Sequence, residues 1–234
     1  MNKEEFIKEV SNLGITLTDN QLEKLNKYYQ QLVIENKKYN LTSITEEETV
    51  YLKHFYDSLT IIKSIDISNQ LLCDIGTGAG FPGLVLKIVF PNLKVTLVEA
   101  TEKKCNFLKN IIKELDLKDI EVINERAEIY SKDIREKYDI VTSRAVAPLK
   151  HLLEYSIPLV KVNGFYIAMK SDISKEIENI AIYEKKLFIK KTKEIRFTLP
   201  KENSLRTLVV YRKLKETNFK YPRKYNEIKK KEIS

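Results

Sequence analysis

The chain has 234 residues, of which 43% are hydrophobic and 32% charged, which suits one α/β domain with an appendage. No apolar run approaches the roughly 18 residues of a membrane span, and the charged N-terminus lacks the apolar segment of an export signal. The two cysteines, Cys73 and Cys105, lie in a strand-like and a helix-like pattern, which favours reduced core residues over a disulfide or a metal site. We therefore expect a cytoplasmic monomer with no metal and no membrane contact.

Residues 1–65 predict a helical N-terminal extension. One helix face is indicated by apolar residues at helical spacing, namely Phe6, Val10 and Leu13. Thr18 and Gln21 form a capping-box pattern that opens a second helix. Thr45 and Glu48 repeat this pattern and predict the start of a third.

From residue 71 onward, strand-like and helix-like patterns alternate, which predicts a parallel sheet covered on both faces. Strands are expected near 71–75, 94–99, 120–124, 138–142 and 163–169. Helices are expected near 82–90, 102–115, 148–158 and 173–186. Two further strand-like runs, 187–197 and 205–214, have no helix between them and predict an antiparallel pair. The result is a seven-stranded, mostly parallel sheet in a domain of residues 66–214.

A glycine-rich stretch follows the first predicted strand and carries the strongest functional signal. Asp74 ends that strand, and three glycines follow at alternate positions, Gly76, Gly78 and Gly80. Glycines here allow positive φ and close approach of a ligand to the backbone. Glu99, at the tip of the next strand, can accept both ribose hydroxyls of a nucleoside. This spacing favours a nucleoside with a charged amino-acid tail, such as S-adenosylmethionine, with Asp74 as the partner of its ammonium group.

Other polar residues are expected at the same edge of the sheet, because ligands bind outside the carboxyl ends of parallel strands. Arg144 follows the fourth strand among apolar residues and would be costly without an anionic or carbonyl partner. It is either a functional residue or one half of a structural ion pair. Lys170 could reach guanine O6 or a phosphate, or be a solvated strand end. His54 and Asp57 share a helix face and could shape the substrate side of the site.

The C-terminal segment is strongly basic. Residues 211–234 contain nine Lys or Arg against three Glu, which gives +6 of the formal net charge of +8. Such a concentration is typical of a surface for polyanions. The alternative is a general lysine bias, which does not by itself explain the concentration. Within a tail of residues 215–234 we expect RNA contacts from Arg223, Lys224, Lys229, Lys230 and Lys231, and base stacking from Tyr221.

The chain resembles the bacterial small-subunit ribosomal RNA guanine-N7 methyltransferases, the RsmG family, also called glucose-inhibited division protein B. The matching pieces are Asn40-Leu41-Thr42, His54–Leu59, Asp74–Gly83, Arg126-Ala127-Glu128, Ser143-Arg144-Ala145 and Tyr221-Pro222-Arg223-Lys224. The resemblance implies a Rossmann-like class I methyltransferase fold with S-adenosylmethionine as cofactor. It also implies a pocket for that cofactor lined by Gly76, Phe81, Ala127, Glu128 and Arg144.

The same resemblance implies methylation of N7 of the guanine at nucleotide 527 of 16S ribosomal RNA, free or in a small-subunit assembly particle. Guanine N7 carries a lone pair at neutral pH, so the reaction needs no general base, only alignment of the reacting atoms. Because N7 must face the methyl donor, guanine is expected to be read by O6 and its Watson–Crick edge. Three alternatives remain: a methyltransferase for another RNA, a small molecule or a protein; a non-enzymatic RNA-binding module; and, least favoured by the glycine spacing, a nicotinamide oxidoreductase.

Overall fold

A seven-stranded sheet forms the centre of the protein, in a computed structural model that describes residues 1–174 and 176–233. The strand order is β3-β2-β1-β4-β5-β7-β6. The strands are β1 (Leu71–Ile75), β2 (Lys94–Glu99), β3 (Ile120–Asn124), β4 (Tyr138–Arg144), β5 (Val160–Lys170), β6 (Ile189–Thr198) and β7 (Leu205–Lys213). The first five are parallel and β7 pairs antiparallel with β5 and β6, which confirms the predicted sheet.

The α-helices lie before, between and after these strands. They are α1 (Lys3–Asn12), α2 (Asp19–Tyr39), α3 (Glu47–Val50), α4 (Asp57–Leu59), α5 (Gly83–Val89), α6 (Glu102–Glu114), α7 (Ala127–Asp133), α8 (Leu149–Ser156), α9 (Ile180–Leu187) and α10 (Tyr225–Lys230). A π-helical turn, Tyr51–Tyr56, joins α3 to α4. Within the described ranges, no helix is both long enough and apolar enough to cross a membrane.

The N-terminal helices follow the predicted caps in one case and depart from them in another. Thr18 and Gln21 form the expected capping box at the start of α2. The third helical segment is capped by Glu46 and not by Thr45, because the Glu46 carboxylate accepts the backbone N–H groups of Glu48 and Thr49. The carboxylate therefore satisfies two of the unpaired N–H groups at this helix start.

The N-terminal extension packs directly onto the loop that follows β1. Tyr28 of α2 is fully buried, and its ring stacks on Phe55, Phe81 and Phe107 at centroid distances of 5.4, 5.5 and 6.3 Å. The Tyr28 hydroxyl donates to the carbonyl oxygen of Ala79. The helical extension therefore fixes the glycine-rich loop from behind, through both apolar contact and a hydrogen bond.

Three helical segments differ from the sequence-based expectation. The helix predicted over 173–186 begins only at Ile180. Asn179 has a left-handed φ of 59°, and Asp172 accepts the Ser174 N–H in a local turn, so the chain is not helical before Ile180. Residue 175 lies outside the described residues. The short helices α7 and α10 were not predicted. The C-terminal segment also packs on the domain, with its apolar side chains Tyr221, Ile228 and Ile233 buried.

Candidate active site

A cavity of about 850 Å³ lies over the carboxyl ends of the central strands. Its walls come from the glycine-rich loop after β1, the end of β2, the start of α7, the end of β4 and the C-terminal helix α10. Of the residues expected to hold a cofactor, seven line this cavity: Gly76, Gly78, Phe81, Glu99, Ala127, Glu128 and Arg144. Asp74 and Gly80 are not among its lining residues.

The glycines of the loop have different roles. A Cβ built on Gly78 meets none of the described residues within 4 Å, and the φ of Gly78 is 62°, so the missing side chain leaves open space in the cavity wall. A Cβ on Gly80 would lie 2.7 Å from the Tyr28 hydroxyl and 2.9 Å from Leu84 Cβ. Gly80 therefore allows the loop to pack on the helices behind it, whereas the absence of a side chain at Gly78 widens the cavity.

Asp74 braces the loop from below. Its side chain is fully buried, and Oδ2 accepts hydrogen bonds from Thr77 Oγ1 at 2.6 Å and from the Gly83 N–H at 2.8 Å. Oδ1 has no hydrogen-bond partner among the residues that the structure describes. Burial raises the pKa of this carboxyl to about 7. The direct contact of Asp74 with a ligand ammonium stays a prediction, while its hold on the loop is visible.

Glu99 lies at the cavity wall with its carboxylate fixed by the backbone. Oε2 accepts the Gly78 N–H at 3.0 Å, and Oε1 accepts the Thr101 N–H at 2.8 Å. Each oxygen keeps a further lone pair, because a carboxylate offers about four acceptor sites. The position fits the predicted ribose contact, since Glu99 ends β2 directly opposite the glycine loop.

The far wall of the cavity contains Tyr225, which the sequence analysis missed, and Lys229, which it expected to contact RNA. Tyr225 of α10 lies under the Arg126 guanidinium, 4.2 Å from ring centroid to Cζ, and the Lys229 ammonium is 5.1 Å from the same ring. Arg126 also pairs with the Glu128 carboxylate. Because Tyr225 and Lys229 line the cavity, the C-terminal segment is part of the site and not a free tail.

Arg144 stands at the centre of a buried polar cluster. Its Nη1 donates to the Lys53 carbonyl oxygen at 2.8 Å and to Asp57 Oδ2 at 3.2 Å, and its Nη2 lies 3.2 Å from His54 Nδ1. The guanidinium lies 5.2 Å from the centroid of the Phe81 ring. Arg144 therefore forms the ion pair that the sequence analysis left open as one alternative, and it also lines the cavity. Sequence reasoning found no charged partner for Arg144, because Asp57 lies 87 residues away.

His54 is held as a neutral hydrogen-bonding group. Arg144 can only donate, so His54 Nδ1 accepts from it and the ring proton sits on Nε2, 3.0 Å from Thr42 Oγ1. The His54 ring also stacks on Phe81 at 4.3 Å. Burial and the neighbouring Arg144 charge lower the pKa of His54 to about 3. The neutral His54 ring therefore connects the Arg144 guanidinium to the Thr42 hydroxyl through one hydrogen bond on each ring nitrogen.

A second cavity, of about 330 Å³, adjoins the first and shares His54, Arg144 and Ala145 with it. Lys170 lies in its wall and is not a solvated strand end. The ammonium group donates to the Ala147 carbonyl oxygen at 2.9 Å and pairs with Glu176 Oε2 at 2.9 Å, with the Lys170 side chain 10% exposed. Arg206 of β7, also missed from the sequence, contacts both Asp57 oxygens at 3.1 Å.

Two of the expected RNA contacts are corrected by the fold of the C-terminal segment. Arg223 binds the fully buried Glu154 carboxylate through its backbone N–H, Nε and Nη2, each at 2.8 Å, so its guanidinium is engaged inside the protein. Tyr221 is 3% exposed and cannot stack on an RNA base in this arrangement. The expected basic surface retains its exposed members, Lys224, Lys229, Lys230 and Lys231.

The fold is that of S-adenosylmethionine-dependent methyltransferases. Similar solved structures include such an enzyme from Aquifex aeolicus, with a TM-score of 0.52, 15% identity, and coverage of 71% of this chain and 93% of that chain. Another is the ribosomal protein L11 methylase from Lactobacillus delbrueckii subsp. bulgaricus, with a TM-score of 0.52, 15% identity, and coverage of 69% and 79%. Identities this low establish the fold alone.

Sequence comparison identifies the family. The family model of GidB, rRNA small subunit methyltransferase G, matches residues 21–209. Two relatives with the name ribosomal RNA small subunit methyltransferase G, from Bacillus cytotoxicus and Staphylococcus epidermidis, are each 46% identical over 229 and 227 residues. Each alignment covers 96% of this chain and 95% of the relative. The chain belongs to the rRNA small subunit methyltransferase G family, as the motifs predicted.

Proposed function

We propose that this protein uses S-adenosylmethionine to methylate N7 of a guanine in 16S ribosomal RNA, at nucleotide 527 by analogy with its family. The observation that carries the proposal is the pair of adjoining cavities over the sheet, which meet at His54, Arg144 and Ala145. A methyl donor in one and a target base in the other would face each other across this junction. Family membership supplies the RNA class.

The first cavity fits the cofactor in its shape and donor set. The open space beside Gly78 gives room for the amino-acid portion against the loop backbone. Glu99 is placed to accept hydroxyl hydrogen bonds from a ribose. Ala127 and Glu128 line the cavity at the start of α7, where backbone N–H groups have no helical partner and could donate to an adenine edge.

The chemistry requires positioning more than acid–base work. When bound, S-adenosylmethionine supplies an activated methyl group on a sulfonium. Guanine N7 is already a nucleophile at neutral pH, so the protein has to align it and exclude water. His54, uncharged and stacked on Phe81, and Arg144, fixed by Asp57, form a rigid wall at the junction. Their fixed orientation limits the directions from which a base can approach.

The RNA surface follows from charge and exposure. Lys224, Lys230 and Lys231 are exposed on the segment whose Tyr225 and Lys229 line the first cavity. Phosphates held by these lysines would lie beside the mouth of the site, and the contacts would weaken with salt because counterions are released on binding. The proposed partner is 16S ribosomal RNA or a small-subunit particle under assembly in the cytoplasm.

The test is transfer of an isotope-labelled methyl group to purified ribosomal RNA and to small-subunit particles that lack the modification. We expect label in 16S RNA and none in 23S RNA or transfer RNA, and a Gly78→Val variant should give much less label or none. Transfer to proteins or small molecules in place of RNA would overturn the proposal in favour of another methyltransferase activity. Cofactor binding without transfer to any of these would favour a non-enzymatic RNA-binding module.

A further inference from the structure

The second cavity has the walls of a base-binding site. Apolar side chains from three strands and from the loop before α3 line it, together with charged groups that include Lys170 and Glu176. The apolar members are Ile44, Met169, Phe197 and Leu208. Apolar and aromatic walls bind the faces of a planar ring, while a few polar groups fix its orientation. At about 330 Å³ the cavity lies at the lower end of the range of ligand pockets, which suits a single base.

The polar side of this cavity presents a donor next to an acceptor. Glu176 Oε2 accepts the Leu149 N–H at 2.6 Å and pairs with the Lys170 ammonium at 2.9 Å, so both side chains are held in place. Glu176 Oε1 has no hydrogen-bond partner among the described residues, and the Lys170 ammonium, which donates to the Ala147 carbonyl oxygen and forms an ion pair with Glu176, keeps at least one further N–H donor. The pair therefore leaves an N–H donor and a carboxylate oxygen on two neighbouring side chains of the cavity wall.

We propose that this cavity takes the target guanine, with Lys170 donating to O6 and the Glu176 carboxylate accepting from N1–H and the 2-amino group. This assignment rests on the proposed function. On guanine the O6 acceptor lies next to these two donors, whereas adenine presents a donor at N6 beside an acceptor at N1. The Lys170–Glu176 pair matches guanine and opposes adenine. N7 lies on the other side of O6 and is left free to face the junction with the first cavity.

The assignment gives Glu176 a role in specificity that no motif indicated. A carboxylate that loses one of two donors loses a charge-assisted hydrogen bond, so inosine, which lacks only the 2-amino group, should be the weaker substrate. The experiment uses 16S RNA fragments that carry either guanine or inosine at the methylated position. The measured quantity is the ratio of kcat/KM for the two fragments, which cancels differences in the folded fraction of the enzyme.

For the unaltered protein we expect guanine to be preferred by roughly 10–100-fold. Glu176→Gln should bring the ratio to within about threefold of one, because the charge-assisted hydrogen bond from the 2-amino group is lost with the carboxylate. Lys170→Met serves as the matched variant: it breaks the same ion pair but removes the partner of O6, which both bases possess. It should lower transfer to both fragments and leave their ratio unchanged.

Each outcome decides between two ideas. A ratio near one in the unaltered protein, or a Glu176→Gln variant that keeps the full preference, would overturn the base subsite while leaving the methyltransferase proposal intact. Equal behaviour of the two variants would mean that the ion pair is only structural, and would overturn the subsite as well. No transfer to the guanine fragment or to intact 16S RNA would overturn the proposed function and this subsite together. Calorimetry should find S-adenosylmethionine affinity unchanged within about twofold in both variants, since neither residue lines the first cavity.

Discussion

Substitution of Gly78 by valine tests whether the space beside the glycine loop is the cofactor site. A Cβ at this position has no described neighbour within 4 Å, and Gly78 lines the first cavity, so a valine side chain is expected to take space that a bound ligand would need. Overpacking of a filled site costs about 1–3 kcal/mol. At 1.4 kcal/mol for each tenfold change, S-adenosylmethionine affinity should fall by roughly 5–150-fold or be lost.

The fold itself should tolerate this change at a modest cost. Gly78 has a φ of 62°, and a residue with a side chain in this region costs about 1–2 kcal/mol. Gly80→Ala is the matched control from the same loop, because its Cβ would press on the Tyr28 hydroxyl at 2.7 Å and on Leu84 at 2.9 Å without entering the cavity. We expect Gly80→Ala to lower the free energy of unfolding more than Gly78→Ala does.

The assay is isothermal titration calorimetry with S-adenosylmethionine on each variant, with urea unfolding to establish the folded fraction. Gly78→Ala should weaken binding less than Gly78→Val, since its single methyl group occupies less of the cavity. A folded Gly78→Val protein with wild-type affinity would refute the assignment of the cofactor to this loop.

Four other predictions concern ionisable side chains. Arg144→Ala should lower kcat/KM for RNA by at least about 100-fold. It should lower the free energy of unfolding by only about 1–3 kcal/mol, because Asp57 keeps Arg206 as a second partner. A large loss of stability with normal activity per folded molecule would contradict this. Joint replacement of Lys230 and Lys231 by alanine should reduce the slope of log affinity for RNA against log salt by about 1–2. Arg223→Ala should instead destabilise the protein by about 3–5 kcal/mol, since it removes the ion-pair partner of the buried Glu154 carboxylate. If Arg223→Ala changed the salt slope as much as the double lysine variant does, the exposed lysines would not be the RNA surface. The pKa of His54 is about 3 in the folded protein, against 6.5 for an unperturbed histidine. Between these pH values the unfolded chain binds more protons than the folded one, so the free energy of unfolding should fall as the pH drops from 6.5 towards 3. An identical pH dependence in His54→Asn would contradict this.

The sequence predicted the sheet because its determinants are local. Each parallel strand is a short apolar run, and the helices between them follow helical periodicity, so the alternation alone specified the class of fold. Helix starts were less secure where two acceptors compete. At the third segment both Thr45 and Glu46 could cap, and the longer carboxylate reaches two N–H groups. The run from residue 173 has helical periodicity, but a turn at Asp172–Ser174 and the left-handed Asn179 delay the helix.

The site was predictable where function follows strand ends and unpredictable where it depends on distant pairs. Glu99 and Gly78 could be placed because both follow neighbouring parallel strands. The partner of Asp57 in β7, Arg206, is 149 residues away in the sequence and no spacing rule connects them. The same holds for Glu154, whose burial against Arg223 turned an expected RNA contact into an internal ion pair. Charged residues in a sequence can be assigned to the binding surface only once those engaged in ion pairs inside the protein are known.

The most direct measurement of the central claim is the chemical position of the transferred methyl group. Small-subunit RNA methylated by the protein can be treated with borohydride and aniline, which cleave the chain at 7-methylguanine, and the break located by primer extension. We expect one break in 16S RNA, at the guanine of nucleotide 527, that is lost or strongly reduced with Gly78→Val. Label incorporated without cleavage would place the methyl group on another atom, and a break elsewhere would place it on another nucleotide; either would contradict the account.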